Sequence, residues 1–247
     1  MRTNLSVIIP TLSNVKGLKY LLNYFKNKPY TVVVIDNKKK NLGFAGGVNK
    51  GAKNVKTKWL LILNDDIEFY DDVSINRLIE FAEEKKIDAV SPILRNPDGK
   101  VENYGYKLLP YGRVSLVKEL TGSQVNPTSP RLRGASELDG LTAACLLIKT
   151  SVFKKLGGFD ESFFAYLEDV DLFLRFKKSG YKMGIAPIEV LHNHMVTTKT
   201  MGNFKARQDM INWWRLYFKH KDKFKFDWWF IVERLRNASG FIKATLK

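Results

Sequence analysis

The first 92 residues alternate between short apolar runs and amphipathic segments. The apolar runs predict buried β-strands, at residues 6–10, 32–35, 59–63 and 89–90. Between them, apolar residues recur every three or four positions at 18–25 and 75–82, which predicts helices, and a glycine-rich segment at 43–51 is expected to lead into another helix. This alternation predicts an α/β fold, in which helices flank a mostly parallel central sheet. Such sheets bind ligands at the carboxyl ends of their strands.

The pattern changes after residue 100. Alternating residues on either side of Pro110 predict a β-hairpin over 104–116, and the composition of 121–136, rich in Ser, Thr, Pro, Gly and Arg, predicts a loop. An amphipathic pattern predicts a short helix that ends near Phe176, and the chain beyond His194 has a helical, aromatic and basic pattern. Apolar runs predict two more strands, at 143–148 and 183–186.

Composition narrows the class of protein. The chain has 247 residues, of which 45% are hydrophobic, so it can bury a substantial core and is not intrinsically disordered as a whole. A single cysteine, Cys145, excludes an intramolecular disulfide and a thiolate metal cluster and fits a reducing compartment. No apolar run approaches the roughly 20 residues needed to cross a bilayer, and we expect no signal peptide at the N-terminus.

The net charge points to a polyanionic partner. Lys and Arg number 41 against 25 Asp and Glu, a formal +16, which suits nucleic acid, phospholipid or a phosphorylated substrate. Residues 199–247 hold 12 of these basic residues and 4 of the acidic ones, so half of the excess, +8, lies there with four of the five tryptophans. Basic helices with tryptophan-rich apolar faces favour an anionic membrane surface. Packing on the core and binding of single-stranded nucleic acid are the alternatives.

Acidic side chains follow the third predicted strand. Asp65 and Asp66 come directly after five apolar residues and offer hard oxygen ligands to magnesium or manganese, which can carry a nucleotide diphosphate. The alternative is that they pair with the N-terminal dipole of the next helix. The glycines at 43–51 could let the backbone approach phosphates, although they match neither the dinucleotide-binding nor the P-loop pattern.

Two more groups of residues could carry chemistry. Glu168, Asp169 and Asp171 precede an amphipathic helix, where repulsion and partial burial can raise one pKa towards the range of a general base. Pairing with the helix dipole is the alternative. His192 and His194 are two of the three histidines and project to the same side of an extended segment, where they could ligate a metal or serve as ordinary polar residues.

The motifs resemble a known family when they are taken in order. They are SVIIPT at 6–11, VIDN at 34–37, NLGFAGG at 41–47, LNDD at 63–66, GGFDE at 157–161, EDVD at 168–171 and the histidine at 192. This set resembles the family 2 inverting glycosyltransferases with a GT-A fold, and is most similar to the rhamnosyltransferase-like and galactofuranosyltransferase-like members that build surface glycans. The resemblance extends over residues 4–220 and is most specific at 157–180.

The resemblance implies a site for a nucleotide-diphosphate sugar. Asp36 would accept a hydrogen bond from the base, and Asp65 would lie near the ribose or the sugar. In this chain only three lysines, Lys38 to Lys40, separate the Asp36 motif from the next one, where the family has a longer segment with an acidic group. The residues implied in donor binding are Thr11, Asp36, Asn41, Gly43, Asn64 and Asp65.

The resemblance also implies the catalytic groups. Asp66 and His192 would hold a divalent metal, manganese or magnesium, that stabilises the departing diphosphate. Asp169, next to Glu168, would be the base that deprotonates the acceptor hydroxyl. We therefore expect a metal-dependent inverting glycosyltransferase, a hexosyltransferase such as a rhamnosyltransferase, that acts on a glycan or a lipid-linked glycan.

The implied organisation is a GT-A catalytic domain over residues 1–200 and a basic aromatic helical extension over 201–247. Within the domain, residues 1–98 would bind the nucleotide sugar, and residues 99–200 would bind the acceptor and carry the catalytic base. The basic extension would attach the protein peripherally to the inner face of the cell membrane. The alternative function is a catalytically silent protein of the same fold that binds glycans or nucleic acid.

Overall fold

A mixed eight-stranded sheet forms the centre of the computed structural model, which describes residues 4–12, 15–118, 138–193 and 203–245. The strand order is β2-β1-β3-β9-β5-β10-β4, with β6 paired to β5, and β7 and β8 form a separate hairpin. The strands are β1 Leu5–Thr11, β2 Thr31–Asp36, β3 Trp59–Leu63, β4 Ile67–Phe69, β5 Ala89–Arg95, β6 Val101–Asn103, β7 Tyr106–Leu109, β8 Arg113–Leu116, β9 Cys145–Lys149 and β10 Met183–His192. The helices are α1 Val15–Phe25, α2 Gly43–Ala52, α3 Ser74–Glu84, α4 Thr150–Lys155, α5 Glu168–Lys178, α6 Phe204–Lys219 and α7 Trp228–Thr245.

Helices cover both faces of the sheet because its central strands are apolar on both sides. Every residue of β1 and β3 is buried. Along β3, Leu61 and Leu63 pack with α1 and α3 on one face, whereas Leu60 and Ile62 pack with α2, α4 and α5 on the other. The two clusters follow the period of two that a strand imposes on its side chains. The predicted α/β class with flanking helices is confirmed.

The sheet is more mixed than the sequence pattern indicated. β1, β2, β3, β5 and β10 run in the same direction, but β9 lies antiparallel between β3 and β5, and β4 is antiparallel to β10. The apolar run at 143–148 predicted β9 without indicating its direction. β10 is also longer than the predicted strand at 183–186, because a register shift between Ile185 and Glu189 lets it continue along β5 to His192.

The glycine-rich segment does not lead into a helix but is itself the helix α2. Its glycines allow the helix to approach β1 closely. A Cβ on Gly51 would lie 2.6 Å from Ile8 Cγ2, and a Cβ on Gly47 would lie 3.1 Å from Pro10 Cβ. The predicted hairpin is present as β7 and β8. The loop predicted at 121–136, His194 and the domain boundary at residue 200 lie outside the described residues, so the division into domains stays a prediction.

The C-terminal helices have one face on the core and one face in solvent. Trp213, Leu216 and Phe230 are buried and pack with Phe163 and Val170 in a third apolar cluster. The other face of α7 carries Trp228, Leu235 and Ile242, which are 69%, 60% and 56% exposed. No helix in the described part of the chain combines the length and the apolar character that a membrane span requires.

Candidate functional site

A cleft of about 410 Å³ opens at the carboxyl ends of β1 and β3. The elements that meet there are the end of β1, the segment after β3, the N-termini of α2 and α5, and the end of β10. Strands that end at one edge of a sheet bring residues from distant parts of the chain together. The predicted site residues that line the cleft are Thr11, Asn41, Gly43, Asn64, Asp65, Asp66, Glu168, Asp169 and His192.

Asp36 is the predicted site residue that the structure does not bring into the cleft wall. It ends β2 opposite Thr11, and its exposed carboxylate accepts a hydrogen bond from the Lys38 N–H at 2.8 Å. The next residue, Asn37, takes the buried position and lines the cleft. Its Nδ2 donates to the Gly43 carbonyl oxygen at 3.1 Å and so links the end of β2 to the start of α2.

The N-terminus of α2 lies very close to the backbone of Phe164. Gly43 has φ of 70°, and a Cβ at this position would lie 2.3 Å from the carbonyl oxygen of Phe164. The Gly43 N–H donates to Asn41 Oδ1 at 2.9 Å. Thr11 Oγ1 donates to Asp65 Oδ2 across the cleft floor. The positive end of a helix dipole therefore faces the cleft beside the end of β1.

Asp66 and His192 meet because β4 and β10 pair antiparallel. His192 is opposite Ile67, and the Asn193 N–H donates to the Asp66 carbonyl oxygen at 2.9 Å. His192 Nε2 lies 3.3 Å from Asp66 Oδ1, and its Nδ1 lies 2.7 Å from Glu102 Oε2. Burial favours the neutral imidazole, but the two carboxylates outweigh this effect and raise the pKa of His192 to about 9.

Asp66 and His192 offer a carboxylate oxygen and an imidazole nitrogen, which are two of the ligands that a metal site needs. Asp66 Oδ1 is buried and accepts no hydrogen bond from the described residues, so its contact with His192 is an ion pair by distance alone. Glu102 on the far side of the ring matches the carboxylate that commonly orients a ligating histidine. In the part of the chain that the structure describes, no three His, Cys, Asp or Glu side chains form a metal site by themselves. Any ion here would need ligands from water or a substrate.

Glu168 and Asp169 line the same cleft from the first turn of α5. Asp169 Oδ1 accepts from the Val170 N–H at 2.8 Å, and its Oδ2 accepts a long bond from the Ala143 N–H at 3.4 Å. Glu168 is buried, and its Oε2 accepts no hydrogen bond from described residues. Burial raises the pKa of both carboxyls, and the charge of Asp169 adds to the effect on Glu168.

Asp171 belongs to a different environment, although it is only two residues further on. Its side chain is fully buried and contacts His220 Nε2 and Lys219 Nζ, each at 2.8 Å, and Arg175 Nη2 at 2.6 Å. Burial alone would raise its pKa, but these partners lower the pKa of Asp171 to about 2. The three acids that the sequence groups together are thus divided between a cleft and a buried ionic network.

Several cleft residues carried no signal in the sequence. Glu102 lies in the short strand β6, and no spacing links it to a histidine ninety positions away. Tyr166, Phe204 and Lys205 line the side of the cleft where α6 begins. Phe204 contacts the ring of Tyr166, with a distance of 6.4 Å between the ring centroids, and Lys205 Nζ lies 5.5 Å from the Tyr166 centroid. Only the packing of α6 on the core brings Phe204 and Lys205 to the site.

Comparison with known proteins gives a family for this chain. The model of glycosyl transferase family 2 matches residues 13–157, more than half of the chain. The N-acetylglucosaminyl-diphospho-decaprenol L-rhamnosyltransferase of Mycobacterium tuberculosis is 31% identical over 154 residues, which are 57% of this chain and 48% of that protein. The low-salt glycan biosynthesis hexosyltransferase Agl10 of Haloferax volcanii is 25% identical over 182 residues, 70% of this chain and 56% of that protein. The chain thus spans about half the length of these relatives.

Solved structures give the fold. The mannosyltransferase PcManGT from Pyrobaculum calidifontis, in complex with GDP-Man and Mn²⁺, superposes with a TM-score of 0.62 at 13% identity, covering 100% of this chain and 74% of that one. GalNAc-T7 with UDP, GalNAc and Mn²⁺ has a TM-score of 0.53 at 17% identity and covers 78% of this chain and 44% of that one. The predicted GT-A fold is therefore confirmed.

Proposed function

Because the chain belongs to glycosyl transferase family 2, we propose that it is an inverting glycosyltransferase that moves a hexose from a nucleotide-diphosphate donor to an acceptor hydroxyl. The observation that carries the proposal is that one cleft brings together two groups of side chains. They are the acid–imidazole pair Asp66 and His192 and the carboxyls of Glu168 and Asp169. Inversion in one step needs a stabiliser for the leaving group on one side and a base on the other.

The donor diphosphate is assigned to the wall formed by β1, β3 and α2. The N-terminus of α2 at Gly43 supplies a positive dipole end, and phosphates bind well at such ends. Donor-binding roles are proposed for the cleft residues of this wall and for Asp36 at its margin: Thr11, Asp36, Asn41, Gly43, Asn64 and Asp65.

A divalent cation, Mn²⁺ or Mg²⁺, fits the residues at the end of this wall. Asp66 Oδ1 is a buried oxygen without a hydrogen bond from described residues, and the field of Asp66 and Glu102 that raises the pKa of His192 also favours a cation. Asp66 and His192 would hold the ion, which would neutralise the charge of the departing diphosphate. Structural relatives contain Mn²⁺ with a nucleotide or nucleotide sugar, which supports this assignment.

Asp169 is the proposed general base. Its carboxyl lines the cleft and has a pKa raised by burial, so it is better suited to accept a proton than an exposed aspartate. Glu168 would assist as the member of the pair that holds a proton, because burial and the charge of Asp169 both raise its pKa, so that Asp169 stays ionised. The acceptor itself is proposed to be a glycan or a lipid-linked glycan, because a relative at 31% identity is named for transfer to a sugar-diphosphate lipid. Tyr166 and Phe204 offer aromatic surface on that side.

The test of this function is a donor screen followed by a transfer assay. Unfolding is measured with Mn²⁺ and a panel of UDP-, GDP- and dTDP-sugars, because a bound donor stabilises the fold by about 2.7 kcal/mol at a hundred times its Kd. Donors that bind are then incubated with sugar-diphosphate lipids, and the products are identified by mass spectrometry. Asp66→Ala should abolish the Mn²⁺-dependent stabilisation, whereas Asp72→Ala, an exposed aspartate outside the cleft, should retain it.

Three outcomes would contradict the proposal or a part of it. Transfer that survives exhaustive chelation would remove the metal and the roles of Asp66 and His192. Donor binding without turnover on any acceptor would favour a catalytically silent sugar-binding protein. Binding of single-stranded nucleic acid at physiological salt, without any donor binding, would favour a basic nucleic-acid binder.

The exposed face of α7 supports a peripheral position on the inner face of an anionic membrane. Trp228, Ile231, Leu235 and Ile242 recur at helical spacing and are all exposed, and the exposed Arg236 lies between Leu235 and Ile242. Sedimentation with phosphatidylcholine vesicles, with and without phosphatidylglycerol, tests this. Trp228→Ser with Leu235→Ser should reduce binding to the anionic vesicles, whereas Val15→Ser, which changes an apolar residue 65% exposed on another helix, should not. Equal binding by both variants would contradict the membrane role of α7.

A further inference from the structure

The segment that leads into the proposed catalytic turn has an unusual backbone. Residues 163–167 come directly before Glu168, and three of them have left-handed φ values: 59° at Phe164, 68° at Tyr166 and 66° at Leu167. None is a glycine, and a side chain at Cβ makes this conformation unfavourable. Such a backbone persists only where surrounding contacts enforce it. Because Phe164 and Tyr166 also line the cleft, the conformation of this segment shapes the site.

A single buried side chain from α6 provides three of these contacts, in addition to the hydrogen bond from the Ala45 N–H of α2 to the Phe164 carbonyl oxygen at 3.2 Å. Asn212 is completely buried, and its Nδ2 lies 2.8 Å from the carbonyl oxygen of Phe163, 2.9 Å from that of Ala165 and 2.8 Å from that of Tyr166. An amide nitrogen has two hydrogens, so one of them is shared between two carbonyls. The Asn212 Oδ1 accepts from Arg215 Nη1 at 2.9 Å, which fixes the orientation of the amide.

The C-terminal end of the same helix holds the other side of the catalytic turn. Lys219 of α6 and His220 directly after it contact Asp171, which follows Glu168 and Asp169 in α5. Lys219 also reaches Asp160, upstream of the left-handed segment, at 2.6 Å. The region from Asp160 to Asp171 is therefore held at both ends by α6, and its middle is held by Asn212.

We propose that Asn212 is a positioning residue for catalysis: it fixes the left-handed segment 163–167 and so sets the place of Glu168 and Asp169 in the cleft. This proposal depends on the proposed glycosyl transfer for its catalytic part. It gives α6 a role in catalysis, although the division predicted from the sequence puts this helix outside the catalytic domain. Loss of the amide donors would release the segment, while the donor wall, built from β1, β3 and α2, would keep its form.

The test compares variants of the full-length chain that differ in the hydrogen bonds made by residue 212. Asn212→Leu keeps much of the side-chain volume and removes both donors, and Asn212→Gln keeps the donors on a stem one methylene longer. Leu216→Ala is the matched control, because Leu216 is equally buried one turn further along α6 and packs in the same apolar cluster as Phe163, but its side chain cannot donate a hydrogen bond to the segment. Amide hydrogen exchange of the ligand-free chain and steady-state kinetics at a temperature well below each variant's Tm are measured together.

We expect Asn212→Leu to speed exchange in peptides from 160–171 by about tenfold. Its kcat should fall by about 10–100-fold with little change in donor KM, because a small displacement of a catalytic group is costly. Asn212→Gln should recover part of both effects. Leu216→Ala should lower Tm to a similar degree and leave kcat within a few fold. If Asn212→Leu does not fold, Asn212→Ser, which retains one donor, replaces it.

The outcomes separate this proposal from the proposed function. Exchange in 160–171 that is the same in Asn212→Leu and wild type would overturn the positioning role, whatever the activity. A fall in kcat that Leu216→Ala matches would also overturn it, because the effect would then belong to the packing of α6. Absence of any sugar transfer by the wild type would remove the proposed function and the catalytic part of this inference, while the exchange data would still decide whether Asn212 holds the segment.

Discussion

The first turn of α5 carries similar carboxyl groups on two faces, and the pKa values on the two faces are shifted in opposite directions. Glu168 and Asp169 face the cleft, accept few hydrogen bonds, and have pKa values raised by burial. Asp171, two residues later, contacts Arg175, Lys219 and His220, and its pKa is lowered to about 2. The partners that the fold supplies thus decide the pKa of a carboxyl group. Without cationic partners the group takes up a proton more readily, and with them it stays charged.

The largest effect is expected from Asp169→Asn. If the cleft face carries the general base, kcat should fall by about 10²–10⁴-fold, because the amide cannot accept the proton of the acceptor hydroxyl. The KM for the donor should change little, since the donor wall is not altered. Steady-state kinetics with the donor and acceptor found by the screen, together with circular dichroism, measures this. Wild-type turnover by a folded Asp169→Asn would remove the base assignment.

Asp171→Asn makes the same chemical change on the other face. It should cost about 3 kcal/mol of unfolding free energy, because the buried charges of the ionic network lose their counter-ion. The value is at the low end for a buried pair, since the side chain of Lys219 is 34% exposed and can be partly hydrated. Urea unfolding of the two Asn variants and the wild type gives the comparison. A stability of Asp171→Asn equal to that of Asp169→Asn would mean that the two faces do not differ as described.

The sequence predicted the parts of the molecule that local patterns encode. The five apolar residues of β3 predicted a buried strand, and the acids after it were correctly expected at the strand end, where the cleft opens. The alternation of strands and helices predicted the fold class, and the order of the motifs agreed with the family. Each single strand, helix or motif among these features depends on residues within a few positions of one another.

The rest depends on contacts between distant residues. The i,i+4 spacing of Asp171 and Arg175 is a local signal for an ion pair, but the other partners of Asp171, Lys219 and His220, are nearly fifty residues away. Glu102 reaches His192 only because β6 pairs with β5 and β5 pairs with β10. The direction of β9 also follows from its neighbours in the sheet rather than from its own sequence. Side-chain periodicity reports which face of an element is buried, but it does not report what covers that face.

The cleft face also depends on a close contact with α2, which two matched glycine substitutions can test. Gly43→Ala would place a Cβ 2.3 Å from the Phe164 carbonyl oxygen, in the segment that precedes Glu168. Gly99→Ala introduces a Cβ at a similar φ, 80° against 70°, but nothing lies within 4 Å of it. Gly99→Ala should cost about 1–2 kcal/mol for left-handed strain, and Gly43→Ala should cost about 1–3 kcal/mol more for overpacking.

Chemical denaturation of the two glycine variants measures the difference in unfolding free energy. Steady-state kinetics show whether the substitution also disturbs the turn that carries Glu168 and Asp169. We expect kcat to fall in Gly43→Ala and to stay at the wild-type level in Gly99→Ala. Equal loss of stability in both variants would show that the contact between α2 and Phe164 contributes nothing beyond backbone strain.

The smallest expected effect is a dependence of stability on pH that separates the two faces. A carboxyl whose pKa is raised in the folded state stabilises the fold below the unfolded pKa, and this contribution is lost as pH rises through the folded pKa. Asp169→Asn removes such a group, so the ligand-free variant should be more stable than wild type near pH 8, with Tm higher by about 3 °C. The difference should shrink towards pH 5, where the wild-type carboxyl takes up its proton. Asp72→Asn, at an exposed site, serves as the control and should leave the pH profile unchanged.

Asp171 should have the opposite sign over a different pH range. Its lowered pKa means that its contribution is present above the unfolded pKa and is lost only as pH falls through about 2. The stability lost in Asp171→Asn should therefore persist as the pH falls from 8 to 5, while the gain in Asp169→Asn shrinks over the same interval. Thermal unfolding of both variants across this range needs no substrate or metal. Parallel profiles would mean that the charged partners of Asp171 do not distinguish the two carboxyls and that the cleft face is not prepared to accept a proton.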